Sequence, residues 1–252
     1  MNAYLDNNII IDIEQNNITT EILINNVDAN INKIFYSHAH LQEANEIKGS
    51  TEEIKSRLQQ RFRTITEITN NNYLFHELDS KIVYKQVEKP SVVYQTIKDV
   101  EFAQDMMKVM VNNISEEQKN VFRNQLGIDV TKLNNYNPAE VVEQINEKKE
   151  AFGGFSLLGL IDHAVAQFPN NDNFGLHNKF GGVFELLDLI GYWKDKYNEK
   201  SNYARLWDSN HAYFSSFCDY FISDDKRTRN KANVAFHVFD IKTQAISSKG
   251  QR

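Results

Sequence analysis

Short apolar, β-rich runs stand at both ends of this 252-residue chain, and helical periodicity fills the stretch between them. Ala3 to Leu5 reads as a short buried strand ending at Asp6, with a helix starting near Ile9-Ile10-Ile11. Ile34-Phe35-Tyr36 is a second strand, ending at Ser37 before the helical spacing of Leu41, Ala44 and Ile47. Near the other end, Tyr220-Phe221-Ile222 and Gln244-Ala245-Ile246 are strands separated by a helical segment, Lys226 to Val238. The economical architecture is a small α/β/α parallel sheet interrupted by a helical insertion or cap.

The middle is punctuated by helix signals. Ser50-Thr51 with Glu53 forms a capping box before the apolar face of Ile54, Leu58, Phe62 and Ile65. Val93, Ile97, Val100, Ala103, Met107 and Met110 step by three and four. Ser115 with Gln118 caps a helix that Gly127 can stop, and Asn137-Pro138-Ala139-Glu140 opens another. Gly153-Gly154 and Gly181-Gly182 read as turns between helices, with close packing as the plainer alternative. Neither pair is followed by the Lys-Ser/Thr of a phosphate-binding loop.

Composition removes several classes. Thirty-four Asp and Glu against 28 Lys and Arg leave a formal charge of −6, which opposes a general nucleic-acid coat. Any nucleic-acid contact therefore needs clustered basic residues. Cys218 is the one cysteine, which excludes a disulfide framework and a thiolate-rich zinc site. No apolar run approaches the roughly 20 residues of a membrane span. The opening MNAYLDNNIIIDIE is acidic and reads as neither signal nor transit peptide, so a cytoplasmic address is the expectation.

Acidic residues recur at the strand ends. In an open parallel sheet, ligands bind outside the carboxyl ends of the strands. Asp6 ends the first strand, Glu43 lies six residues past Ser37, and Asp224-Asp225 follow Ile222-Ser223. Asp208 is placed where the helix before the third clear strand begins. Each acid alone is a helix cap or a solvated turn. As a set they converge on one sheet edge, where their repulsion calls for a hard divalent cation such as Mg²⁺ or Mn²⁺.

At these residues the chain resembles PIN domains. YLDNNIIIDI is similar to their first strand, FYSHAHLQE to their second, and DSNHAYFSSFCDYFISDDKRTRNKA to their closing segment. The resemblance covers about the first 80 and last 60 residues. It implies a three-layer α/β/α PIN-like fold with a short parallel sheet, built from residues 1–85 and 196–252. A mainly helical insertion over residues 86–195 has no PIN counterpart. It also implies a metal-dependent endoribonuclease with Mg²⁺ or Mn²⁺ held by Asp6, Glu43, Asp208 and Asp225. Asn8 and Ser223 would support them, with Asp219 and Asp224 as neighbouring acids. Nucleases of this kind serve as toxins, defence effectors or RNA-processing enzymes. The implied substrate is single-stranded or structured RNA, and an inhibitory or regulatory protein would dock on residues 86–195. A homo-oligomer is compatible with this scheme.

Charge placement bears on the substrate. From Lys194 to Arg252 there are eleven Lys and Arg against seven Asp and Glu. Lys226, Arg227, Arg229 and Lys231 follow Asp225 directly, where they suit a phosphate backbone. A solvated helix face is the alternative. Tyr203, Trp207, Tyr213 and Tyr220 suit base stacking or, more simply, core packing.

Other chemistries have weaker support. His38 and His40 would share one side of an extended segment, but no third ligand accompanies them. His211 is one turn from Asp208 and would contact substrate or orient that acid. Cys218 packs as a small apolar residue, since no paired base or oxyanion loop is identifiable. A haloacid dehalogenase-like phosphatase needs Asp-x-Asp where this chain has Asp6-Asn7-Asn8. The non-enzyme alternative is a catalytically silent PIN-like module that binds RNA or protein.

Overall fold

The computed structural model describes residues 1–98, 115–168, 173–194 and 199–250, and the fold is α/β with a six-stranded mixed sheet. The described residues divide into two compact units. Residues 1–98, 214–226 and 243–250 make the first, and 115–168, 173–194, 199–213 and 227–242 the second. Among the described residues no helix is long and apolar enough to cross a membrane.

The first unit holds the sheet. Its strands are β1 (Asn2–Leu5), β2 (Lys33–Ser37), β3 (Asn72–Glu77), β4 (Ile82–Val87), β5 (Tyr220–Ile222) and β6 (Gln244–Ile246), in the order β4-β3-β2-β1-β5-β6. All neighbours are parallel except β3 and β4. The chain moves outward from β1 through β2 and β3, then returns to β5 on the other side of β1. The strand order therefore reverses between β1 and β5, the position where open sheets of this type bind ligands.

Register places Ala3 beside Ile34 and Tyr220, and Tyr4 beside Phe35 and Phe221. Alternation then gives two apolar faces, as buried parallel strands require. One carries Ala3, Leu5, Ile34, Tyr36, Tyr73, Tyr220, Ile222 and Ile246. Packed with them are Ile9 and Ile10 of α1 (Asn7–Glu14), Leu23 of α2 (Thr20–Val27), Leu41 of α3 (His38–Ala44), Ile65 and Ile68 of α4 (Thr51–Thr69) and Val93 of α5 (Pro90–Ile97). On the other face Tyr4 meets the rings of His40 and Phe214.

The second unit is helical. It contains Glu116–Leu126, Val130–Leu133, Pro138–Glu147, Leu157–Ala166, Leu176–Ile190, Glu199–Ser215 up to Tyr213, and Lys226–Val238 from Arg227. The capping boxes expected at Ser50/Glu53, Ser115/Gln118 and Asn137/Glu140 all form. Asp188 is buried and accepts from the ammonium of Lys119 at 2.6 Å, with Arg205 Nη1 at 3.2 Å and Lys231 Nζ at 3.9 Å. Burial opposes its ionisation, but the positive charges of Arg205, Lys231 and Lys119 outweigh that and hold its carboxyl below the usual range.

Several expectations need correcting. The sheet is mixed rather than parallel, because residues 72–87 form the β3–β4 hairpin. The first unit runs past residue 85 to include α5, whose Val93 sits in the same core as the strands. Residues 199–213 and 227–242 group with the helical unit instead of the sheet. Gly181 and Gly182 are no turn: they lie inside Leu176–Ile190, and a Cβ at Gly182 would stand 3.3 Å from Ile161 Cγ2. The packing alternative therefore holds for Gly182, whereas a Cβ at Gly181 would meet nothing within 4 Å; Gly153 and Gly154 have the positive φ of a turn. Asp208 is interior to Glu199–Ser215, not at its start. Val100, Ala103, Met107 and Met110 lie outside the described residues.

Candidate functional site

The candidate site sits at the carboxyl ends of β1 and β5 in the first unit. Asp6 is the residue after β1. Its N–H continues the ladder to Ile222 O at 2.8 Å, and its carbonyl receives the first N–H bonds of α1 from Ile9 and Ile10. The backbone thus seats Asp6 as the N-cap of α1, yet its side chain caps nothing. That carboxylate, 2% exposed, turns instead toward β5, where Ser223 Oγ donates to Asp6 Oδ2 at 2.7 Å. Ser223 is itself fully buried, and its hydroxyl also accepts from the N–H of Asp225 at 3.2 Å. One hydroxyl therefore joins the first strand's acid to the turn that carries Asp225.

Glu43 reaches the same end from α3. Its Oε2 accepts a short hydrogen bond from Asn7 Nδ2, the residue next to Asp6. Asn7 is buried, and its Oδ1 accepts from Arg61 Nη1 at 3.0 Å. Arg61 Nε in turn donates to Glu14 Oε2 at 2.7 Å. The result is a row of side chains, Glu43–Asn7–Arg61–Glu14, drawn from α3, α1 and α4.

A second polar group ties the ends of β1 and β2 together. The backbone N–H of Ser37 donates to His40 Nδ1 at 3.2 Å, so that nitrogen must be the acceptor. Nε2 therefore carries the proton and donates to Leu5 O at 2.8 Å. Both nitrogens of His40 are used by the backbone, and His38 begins a helix rather than sharing an extended segment with it. The expected alternative of a His38/His40 metal pair is thereby set aside. Tyr4 Oη lies 2.7 Å from Ser37 Oγ. Burial keeps this phenol protonated well above its ordinary range; the Ser37 bond opposes that, and the negative charges of Glu43 and Asp6 add to it.

Of the four acids expected to hold metal, Asp6, Glu43 and Asp225 belong to this unit, and Glu43 is hydrogen-bonded to Asn7, the residue after Asp6. Asp208 belongs to the second unit and is partly exposed on its helix. Asp224 is turned to the loop after β6, accepting from Ser248 N at 2.9 Å and Ser248 Oγ at 2.6 Å. Asp219 precedes β5 and accepts from Asn2 N at 2.7 Å, which puts it at the amino end of the parallel strands, opposite to Asp6. Asn8 is exposed, and the amide bonded to Glu43 is that of its neighbour Asn7. Lys226 is exposed, Arg227 and Arg229 are partly so, and Lys231 is buried against Asp188. Cys218 is buried, and burial pushes its thiol up to about 12, as suits a packed residue. His211 is fully buried.

Among the described residues no three His, Cys, Asp or Glu side chains are grouped so as to hold a metal ion. What the first unit provides is two separate carboxylates, Asp6 bonded to Ser223 and Glu43 bonded to Asn7. That donor set suits Mg²⁺ or Mn²⁺, which is commonly held by one or two carboxylates while keeping waters and taking phosphate oxygens. Asn7 and Arg61 were not singled out by the sequence, although Arg61 carries a signal. It falls on the α4 stripe of Ile54, Leu58, Ile65 and Ile68, where a charge is out of place.

No protein-family model, curated protein or solved structure matches this chain.

Proposed function

We propose that the carboxyl edge of β1 and β5 is the site of a Mg²⁺- or Mn²⁺-dependent phosphodiesterase, an endoribonuclease with a PIN-like three-layer core. The observation that carries this is the Ser223–Asp6 bond at the point where the strand order reverses, with Glu43 tied to the next residue. A bound divalent ion would supply an activated water and neutralise charge on the phosphate. The chain's own contribution is positional. Asp6 and Glu43 offer hard oxygen donors, Ser223 fixes the first and Asn7 the second, and Asp225 is carried on the turn that Ser223 organises. Lys226, exposed beside Asp225, suits a backbone phosphate. The proposed site is built from the first unit alone, without Asp208. A cytoplasmic address, a toxin or defence role, and an inhibitory protein on residues 86–195 belong to the same proposal.

The test is incubation of the purified chain with labelled single-stranded RNA and DNA, with Mn²⁺ or chelator, beside Asp6→Asn and Asp225→Asn. Metal-dependent RNA cutting that falls at least about 100-fold in Asp6→Asn is expected, in the range for losing a group that acts on the reacting centre. Metal-independent cutting, or full activity in both variants, overturns the mechanism. RNA retained without cutting identifies the binding module instead.

A further inference from the structure

We infer that Asn7 and Arg61 are positioning residues for Glu43, a role that rests on the metal-site proposal above. Arg61 is 6% exposed, on the same side of α4 as the buried Ile65 and Ile68. Burying a guanidinium is unfavourable unless it is paired and hydrogen-bonded. Glu14 supplies the countercharge at 2.7 Å. The second bond, from Nη1 to Asn7, is not needed for neutralisation and has a different consequence. A guanidinium has only donors, so it forces Asn7 to present Oδ1 to it. The amide then has one remaining direction for its NH₂, and that points at Glu43 Oε2.

Two features make this more than packing. The positive charge on one side of the amide polarises it, which strengthens its donation on the other side. In addition, Asn7 is the first residue of α1, so the amide is seated directly beside Asp6 by the strand-to-helix turn. A long, partly buried Glu side chain on α3 is thereby tied to the residue that follows Asp6. Partners of this kind around metal ligands typically change affinity 10–100-fold when removed. Asn8, one residue on, is exposed and makes no such link.

The experiment is Mn²⁺ binding to the full chain, followed by the electron paramagnetic resonance signal of the free ion, with thermal melts alongside. Asn7→Ala and Arg61→Gln are each expected to weaken Mn²⁺ binding about tenfold. The double variant should be no weaker than the worse single one, because both act through one bond to Glu43. Arg61→Lys, which keeps charge but loses the fork to Asn7 and Glu14, should also be weakened. If Glu43→Gln weakens binding while Asn7→Ala and Arg61→Gln leave it unchanged, and merely lower the melting temperature, the positioning role is overturned. If Glu43→Gln and Asp6→Asn bind as the natural chain does, the metal site itself is overturned.

Discussion

Ser223 Oγ and Asp6 Oδ2 lie 2.7 Å apart, although 217 positions separate the two residues in the chain. The bond closes the seam where β1 and β5 run side by side, and it does so just beyond the last ladder bond, Asp6 N to Ile222 O. A strand pair buried on both faces would otherwise end in a carboxylate with little access to water. The hydroxyl supplies a donor there, and its lone pair also takes the N–H of Asp225. Structure and proposed chemistry thus depend on the same atom.

Replacing Ser223 by alanine removes that donor and acceptor at once. The fully buried Asp6 carboxylate and the Asp225 N–H each lose a partner, and such a loss costs about 1–3 kcal/mol. Urea denaturation of Ser223→Ala should show a lower midpoint than the natural chain. Ser223→Thr keeps the hydroxyl and should lose less. Equal midpoints for Ser223→Ala and the natural chain would show that the bond contributes nothing.

The glycine pair in Leu176–Ile190 permits a comparison of adjacent positions. A Cβ at Gly181 meets nothing within 4 Å, so Gly181→Ala should gain roughly 0.5–1 kcal/mol from helix propensity. At Gly182 the new Cβ would be 3.3 Å from Ile161 Cγ2, and Ile161 is itself buried. Close-packed interiors yield poorly to such an insertion, so Gly182→Ala should cancel or reverse the gain. Gly181→Ala should melt higher than Gly182→Ala, and an equal upward shift in both would show that Gly182 is not a packing position.

What the sequence could reveal followed burial. Strands β1, β2, β5 and β6 were legible as short apolar runs because every one of them is buried on both faces. The helix starts at Ser50, Ser115 and Asn137 were legible because capping is a local interaction. The β3–β4 hairpin was not: most of β4 is exposed, so it lacks an alternating pattern, and its turn through Leu78-Asp79-Ser80-Lys81 uses a positive-φ lysine instead of glycine. Asp6 and Ser223 were visible as polar residues just beyond strands. Asn7 was hidden among paired asparagines that resemble turns. Lys231 read as part of a basic surface because its partner, Asp188, is 43 residues away and reaches it only in the folded second unit.

That difference between Lys226 and Lys231 is measurable. Asp188 has three cations around it in a buried setting, and removing one member of such a group typically costs about 3–5 kcal/mol. Asp188→Asn should therefore lower the melting temperature sharply, and Lys231→Ala should lower it too, by less, because its 3.9 Å separation is the longest of the three. Lys226→Ala, at an exposed position, should lower the melt less than Lys231→Ala and weaken RNA retention, with a shallower salt dependence. A Lys231→Ala variant that melts normally but loses RNA would reverse the assignment.

His76 gives the fold a calculable response to acid. It is 4% exposed on β3, edge-on to Phe214, and burial lowers its imidazole below the ordinary value of 6.5. Above pH about 6.5 the ring is neutral in both folded and unfolded chains, and its contribution is fully present. As the pH falls below that value, the unfolded chain takes up a proton that the folded one resists, so stability is lost until the folded pKa is passed. The slope from one such group is at most about 1.4 kcal/mol per pH unit. In urea titrations at successive pH values, His76→Gln should lose stability less steeply between pH about 6.5 and 5 than the natural chain. Parallel curves would mean that His76 is protonated as readily in the folded protein as in the unfolded one.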